Sequence, residues 1–180
     1  STTELGSPTA LYLAASGVGH IIIADFDQVE LSNLQRQIIH GTPDIGDDKV
    51  DSAKAKMLEI NPNIKVTIAN EIVHTDNLSS LIKDVDVVLD GTDNFESRFE
   101  INKVCVDHKK PLVSAAVIRF EGQVSVFKGY EKDQPCYQCL YTEEGDDNES
   151  CVQNGVLAPV AGLIGTIQAL QAIKVIFLQH

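Results

Sequence analysis

Gly17-Val18-Gly19-His20-Ile21-Ile22-Ile23-Ala24-Asp25 sets two glycines before an apolar run that ends in an acid. A continuous run of this kind predicts a strand covered on both faces by helices, since no side chain has to alternate toward water. Upstream, Ser7-Pro8 opens a helical stretch running to Ser16. Ser7 suits the N-cap, Pro8 the first helical position and Gly17 the left-handed position after the last turn. Downstream, 64–73 predicts a second strand, with β-branched Ile64, Val66 and Ile68, and Val85-Asp86-Val87-Val88-Leu89-Asp90 predicts a third that again ends in acid. Helices are expected over 49–59, 77–83 and 95–108. Strands alternating with helices mean an α/β fold with a largely parallel sheet flanked by helices. Past Pro111 the pattern changes, and 112–117 and 119–127 predict additional, neighbouring strands in the C-terminal half. The stretch 128–154 then reads as one long loop holding three of the four cysteines, and loops of that length are commonly functional.

The 180 residues carry 14 Lys plus Arg against 26 Asp plus Glu, a net charge of −12. The length predicts a single domain over 1–180. So acidic a chain lacks the basic face that extended nucleic acid requires, although a phosphate ligand needs only a few local cations. No secretory leader pattern opens the sequence, and four cysteines are too few for a disulfide-dense module, so a reducing, cytoplasmic setting is expected. The run 156–178 resembles a membrane span in length. Pro159, Gly162, Gly165, Gln168, Gln171 and Lys174 recur in it every third residue, however, which predicts a core helix with one close-packed side and no membrane association.

In parallel sheets, ligands bind at the carboxyl ends of the strands. Two such ends are chemically loaded: Asp25, and Gly91-Thr92-Asp93-Asn94. Asp25 stands 19 residues beyond Gly6, near the roughly 20-residue spacing of a ribose-binding acid, though a strand-end cap has the same spacing. A phosphate-cradling loop wants several glycines, whereas Ser1-Thr2-Thr3-Glu4 precedes a lone Gly6. Either the site is of another kind or the chain begins inside such a loop, and Glu4 would repel phosphates. Cys136-x-x-Cys139 has the spacing of half a tetrahedral zinc site; the rival, a redox pair, normally opens a helix in a thioredoxin-like setting. Cys105, between Val104 and Val106, reads as a buried apolar residue. Arg98, on the helix after Asp93-Asn94, is as open to an ion pair with Glu96, Glu100 or another nearby carboxylate as to ligand contact.

The block Asp25-Phe26-Asp27-Gln28-Val29-Glu30-Leu31-Ser32-Asn33-Leu34-Gln35-Arg36-Gln37 is followed by Asp44-Ile45-Gly46, Lys49 and Thr92-Asp93-Asn94. Further on come Pro135-Cys136-Tyr137-Gln138-Cys139, Ser150-Cys151, Gly155-Val156, Ala158-Pro159 and Ala172-Ile173-Lys174. In this order the sequence resembles the ThiF/MoeB/HesA family, the ubiquitin-activating-enzyme-like adenylyltransferases. The resemblance implies a Rossmann-like fold and ATP-dependent adenylylation of the C-terminal glycine carboxylate of a ubiquitin-like sulfur-carrier protein ending in Gly-Gly, in thiamine or molybdenum-cofactor synthesis. It implies nucleotide contacts from Gly6, Asp25, Ser32, Asn33, Arg36, Lys49, Asp93 and Asn94, with Arg36, Lys49 and Asp93 in catalysis and Asp93 on Mg²⁺. It further implies Zn²⁺ on Cys136 and Cys139 completed by a second C-x-x-C, a homodimer, and in some relatives a covalent cysteine at the place of Cys151. Five nearby acids (Glu143, Glu144, Asp146, Asp147, Glu149) would weaken that thiol as a nucleophile. Arg119 falls on a strand along which family members pass the carrier's tail. By the same resemblance the chain is expected to lack the family's first strand, most of its glycine loop and the second C-x-x-C. Two alternatives stand beside this reading. One is a non-catalytic nucleotide- or partner-binding module of the same fold, motivated by Glu4. The other is a nicotinamide-dependent oxidoreductase, which lacks its glycine fingerprint here and leaves Arg36 and Lys49 unexplained.

Overall fold

The computed structural model describes residues 4–141 and 156–179. Helix α1 (Gly6–Ala15) leads into β1 (His20–Ala24). The predicted turn between them holds, with Gly17 at φ +78°. The helix starts earlier than Ser7 predicted. Leu5 is its N-cap and, being leucine, offers no side-chain acceptor to cap it; the Thr9 N–H donates to the Leu5 carbonyl, and the Thr9 hydroxyl lies 2.7 Å from the same oxygen. Ser7 is instead fully buried in the first turn. Pro8 stays harmless there, since the first four N–H groups of a helix have no carbonyl partner to lose.

Helix α2 (Lys49–Ile60) crosses over to β2 (Lys65–Ala69), which pairs in parallel with β1 from His20↔Lys65 to Ala24↔Ala69. Helix α3 (Thr75–Ile82), strand β3 (Val88–Asp90) and helix α4 (Phe95–Asp107) follow. Strand β4 (Leu112–Ile118) runs parallel to β3, and β5 (Glu121–Phe127) returns antiparallel to β4. A short α5 (Tyr137–Leu140) precedes the long α6 (Ala158–Gln179). The fold class is the expected α/β, but the described strands form two sheets, β1-β2 and β3-β4-β5, rather than one. With sheet pairing on one side only, β1 is covered less fully than its apolar run predicted: Ile23 is buried, while Ile21 and Ile22 are half-buried.

The core follows the layers. Ala14, Ile23, Ile39, Val50, Ala53, Met57 and Val66 pack between α1, α2 and the first sheet. Leu78, Ile82, Val104, Leu112, Phe127 and Tyr137 fill the space under α3 and α4. Leu13, Val113, Ala169, Ala172 and Val175 join α1 and α6 to β4. Helix α6 has 22 residues and a mean hydropathy of 1.7 over its most apolar 18, so it is long and apolar enough to cross a membrane. Its buried ridge, however, is Ala161, Gly165, Gln168, Ala172 and Val175. This ridge steps alternately by four and three, so the strict three-residue stripe drifts away from it, and Lys174 ends exposed. A Cβ at Gly165 would stand 2.5 Å from the Leu5 carbonyl and 2.5 Å from Pro8 Cγ. Only glycine lets α6 close on the start of α1.

Candidate functional site

Asp25 follows β1 directly and is 7% exposed. One carboxylate oxygen accepts the N–H of Asp27 at 3.1 Å, which turns the chain out of the sheet. Lys49 opens α2 and is itself only 5% exposed. Its N–H donates to the Asp27 carbonyl, and its ammonium meets Asp27 Oδ2 at 2.9 Å. Asp27 is half-exposed, so this buried cation is held by a carboxylate that reaches water. The pairing with Asp27 was not anticipated, although an acid two residues past Asp25 was a visible signal.

The segment after Glu30 forms a short 3₁₀ turn (Leu31–Asn33) whose Asn33 side chain accepts the Glu30 N–H at 3.1 Å. Asn33 therefore shapes the turn that carries Arg36. The Ser32 hydroxyl donates to Glu30 at 3.1 Å, and the Arg36 guanidinium donates to the Ser32 carbonyl at 2.9 Å. Arg36 Nε lies 3.4 Å from Glu4 Oε2, and the two side chains are 27% and 12% exposed. The expectation that Glu4 repels phosphate is thereby sharpened: its carboxylate occupies the very guanidinium proposed to bind one.

His40 and Gln37 continue the same turn, and sequence reasoning passed over both. His40 Nδ1 lies 2.7 Å from the Ser52 hydroxyl, one helical turn beyond Lys49 on α2. Burial holds the imidazole pKa below its ordinary 6.5, and the Lys49 charge lowers it further against Asp44 and Asp25. His40 Nε2 and Gln37 Oε1 are buried without a partner among the described residues.

At the end of β3, Asp90 is 2% exposed. Its Oδ1 accepts both the N–H and the hydroxyl of Thr92, each at 2.8 Å. Its carbonyl accepts Gln168 Nε2 at 2.8 Å, and the same amide nitrogen donates to the Val113 carbonyl at 3.0 Å. Gln168 Oε1 in turn lies 3.0 Å from the Thr9 hydroxyl, whose one proton is shared with the Leu5 and Gly165 carbonyls. This one side chain ties the first turns of α1 to the end of β3 and the beginning of β4. A chain of contacts thus runs from Arg36 through Glu4, α1 and Gln168 to the 91–94 loop. Asp93 and Asn94 are exposed on that loop, and the Asn94 side chain caps α4 by accepting the Ser97 N–H at 2.8 Å. Gly6 lies in the first turn of α1.

Two arginines lie where the sequence did not place them. Arg98 does not pair along its helix with Glu96 or Glu100. It is 7% exposed and turns inward, donating to the Thr92 carbonyl through Nε at 3.0 Å and also through Nη2, and to the Ala115 carbonyl at 3.4 Å. The carbonyls of the loop past β3 and of β4 outcompete an exposed ion pair, because desolvated donors need partners. Arg119 lies not on a strand but at the two-residue turn between β4 and β5, with φ +52°.

Cys136 and Cys139 are free thiols at the start of α5, with sulfurs 3.3 Å apart. Burial raises the Cys136 pKa, but hydrogen bonds from Cys139, Asn102 and the backbone outweigh it and leave the thiol below its ordinary value. Two soft sulfurs fit half of a tetrahedral metal site; among the described residues no cluster of three or more His, Cys, Asp or Glu forms. Tyr137, inside this motif, is buried among Phe99, Phe127 and Tyr141, and its N–H donates to Asn102 on α4 at 2.9 Å. Cys105 is buried as expected, its thiol pushed up to about 12 by desolvation and by Asp90. Cys151 and its acidic neighbours lie outside the described residues.

A sequence model described as the ThiF family matches residues 3–180. The molybdopterin-synthase adenylyltransferase of Escherichia coli K12 is 45% identical over 172 residues, which cover 96% of this chain and 69% of that protein. The sulfur carrier protein ThiS adenylyltransferase of the same strain is 42% identical over 172 residues, covering 96% and 68%. The adenylyltransferase and sulfurtransferase MOCS3 of Culex quinquefasciatus is 42% identical over 174 residues, covering 96% and 39%. Among solved structures, E. coli MccB with ATP superposes with a TM-score of 0.80 at 26% identity, over 98% of this chain and 54% of that one. The chain therefore spans about half of the solved MccB chain. With a family match along nearly its whole length and relatives above 40% identity, the chain belongs to the ThiF family.

Proposed function

We propose that this chain carries the nucleotide site of an adenylyltransferase that uses ATP to activate the C-terminal glycine carboxylate of a ubiquitin-like sulfur-carrier protein. The observation that carries the reading is a pair of cations, Arg36 and Lys49, on the two segments that close the carboxyl end of β1, in a chain of net charge −12. Identity to adenylyltransferases of molybdopterin synthase and of ThiS supports it. Arg36 offers a planar fork to the triphosphate and Lys49 a point charge. Asp25 accepts from the ribose hydroxyls, while Gly6, Ser32 and Asn33 line the approach. Asp93, beside Asn94, would supply a hard oxygen to Mg²⁺, and Mg²⁺ would neutralise phosphate charge. The carrier's carboxylate oxygen bonds to the α-phosphorus as the bond to the bridging oxygen of pyrophosphate breaks. The attacking carboxylate is already ionised, so no general base is required, and the protein's work is alignment and charge neutralisation.

In the same reading Cys136 and Cys139 supply two of four Zn²⁺ ligands, Arg119 lies on the path of the carrier's tail, and the enzyme works as a cytoplasmic homodimer. Pyrophosphate exchange into ATP, dependent on a carrier ending in Gly-Gly, tests the reading; Asp93→Ala should abolish it. The second reading, a non-catalytic module, is favoured by the Glu4–Arg36 contact. Carrier binding without exchange at saturating MgATP would select it.

A further inference from the structure

We propose that Arg98 is a positioning residue of the nucleotide site: with the Asp90 carboxylate it clamps Thr92 so that Asp93 is presented in one orientation to the cation of MgATP. The inference rests on the nucleotide reading given above. Thr92 has three polar groups, and all three are held. Its N–H and hydroxyl donate to Asp90 Oδ1, and its carbonyl accepts two N–H groups of Arg98. The third Arg98 contact, at 3.4 Å, goes to Ala115 in the middle of β4, so one guanidinium joins the loop past β3 to the neighbouring strand. Asp90 is braced in its turn by Gln168 at its carbonyl and by the Ser114 hydroxyl at 3.5 Å.

The arrangement is costly unless it serves something. A cation in the first turn of a helix faces the positive end of the helix dipole, and Arg98 there is 7% exposed. Its charge meets backbone carbonyls in place of the nearby acids of its own helix. On the other side of the clamp, Asn94 is committed to capping α4. Among the described residues, the Asp93 carboxylate has no hydrogen-bond or ion-pair partner. The loop is therefore hydrogen-bonded in its frame and open at one side chain, as an oxygen ligand positioned before the metal arrives would be. Lysine cannot replace this arginine, because one ammonium cannot set two parallel N–H groups on a carbonyl and also reach β4.

Arg98→Lys keeps the charge and tests the geometry. Titration calorimetry should show MgATP binding weakened about tenfold, with metal-free ATP in EDTA unchanged within twofold. Combined with Asp93→Asn, the double variant should bind MgATP no more weakly than Asp93→Asn alone, since both act through one ligand. Equal weakening with and without metal, or additive losses, would overturn the proposal. Hydrogen exchange on the nucleotide-free protein reads the clamp separately: Thr92–Asn94 amides should exchange at least tenfold faster in the variant while α2 amides do not change. Unchanged exchange refutes the clamp whatever the nucleotide does. If Arg98→Lys does not fold, Thr92→Ala removes one strut and should show the same metal-selective loss at two- to fivefold. Wild-type protein that binds no MgATP would overturn the nucleotide reading and the metal half of this proposal, and exchange would still decide the clamp.

Discussion

Glu4→Gln should tighten ATP binding, an unusual direction for a substitution at a nucleotide site. Glu4 Oε2 sits 3.4 Å from Arg36 Nε, and its side chain is 12% exposed, so an incoming phosphate must take the guanidinium from a carboxylate already there. Breaking a pair that still reaches solvent costs about 1 kcal/mol. The displaced carboxylate then stands about 8 Å from a phosphate charge, which at an effective dielectric constant of about 20 costs about 2 kcal/mol more. Together these amount to about 3 kcal/mol, or roughly 150-fold in affinity at low ionic strength. With a Debye length of about 8 Å at physiological salt, screening should shrink the gain toward tenfold. Glutamine keeps the length and hydrogen-bonding capacity and removes only the charge. Calorimetric titration of MgATP into both proteins at two salt concentrations measures the difference. A dissociation constant within twofold of the wild type at low salt, or a gain that ignores salt, would refute the reasoning. The variant should also lose no more than about 1 kcal/mol of stability, read from urea unfolding.

Three further outcomes follow from packing and protonation. Gly165→Ala puts a Cβ 2.5 Å from the Leu5 carbonyl and should cost about 1–3 kcal/mol by overpacking, a fall of a few degrees in Tm; Gly162→Ala, which meets open space, should be neutral or slightly stabilising. His40 is held below its ordinary pKa of 6.5 by burial and by Lys49, so as pH falls below 6.5 the unfolded chain takes up a proton that the native state refuses. Its contribution is complete above 6.5 and is lost on acidification from 6.5 toward the lowered native value, and His40→Asn should flatten the slope of stability against pH in that window. Cys105, with its thiol pushed up to about 12 and 2% exposed, should resist iodoacetamide at pH 8 in the native protein and react on denaturation, whereas Cys136 and Cys139 should label readily, as peptide mass mapping would show.

The sequence by itself determined the alternation of strands and helices, the acids at the ends of β1 and β3, the left-handed turn at Gly17, the buried Cys105 and the family. All of these are local: apolar runs, glycines and short spaced motifs act through neighbours in the chain. Which partner each charged side chain takes was not legible. Arg36 finds Glu4, 32 residues away in the chain, Lys49 finds Asp27, and Gln168 joins α1 to β3. The partner of Arg98 stayed open for the same reason: helical spacing offered Glu96 and Glu100, but the Thr92 carbonyl just past β3 is brought to it only once the sheet has formed. The start of α1 moved likewise, fixed by where Thr9 can reach back and by how closely Gly165 lets α6 approach. Backbone conformation answers to a few adjacent residues. The pairing of buried polar groups answers to desolvation, which acts only where distant segments are brought together and water is removed.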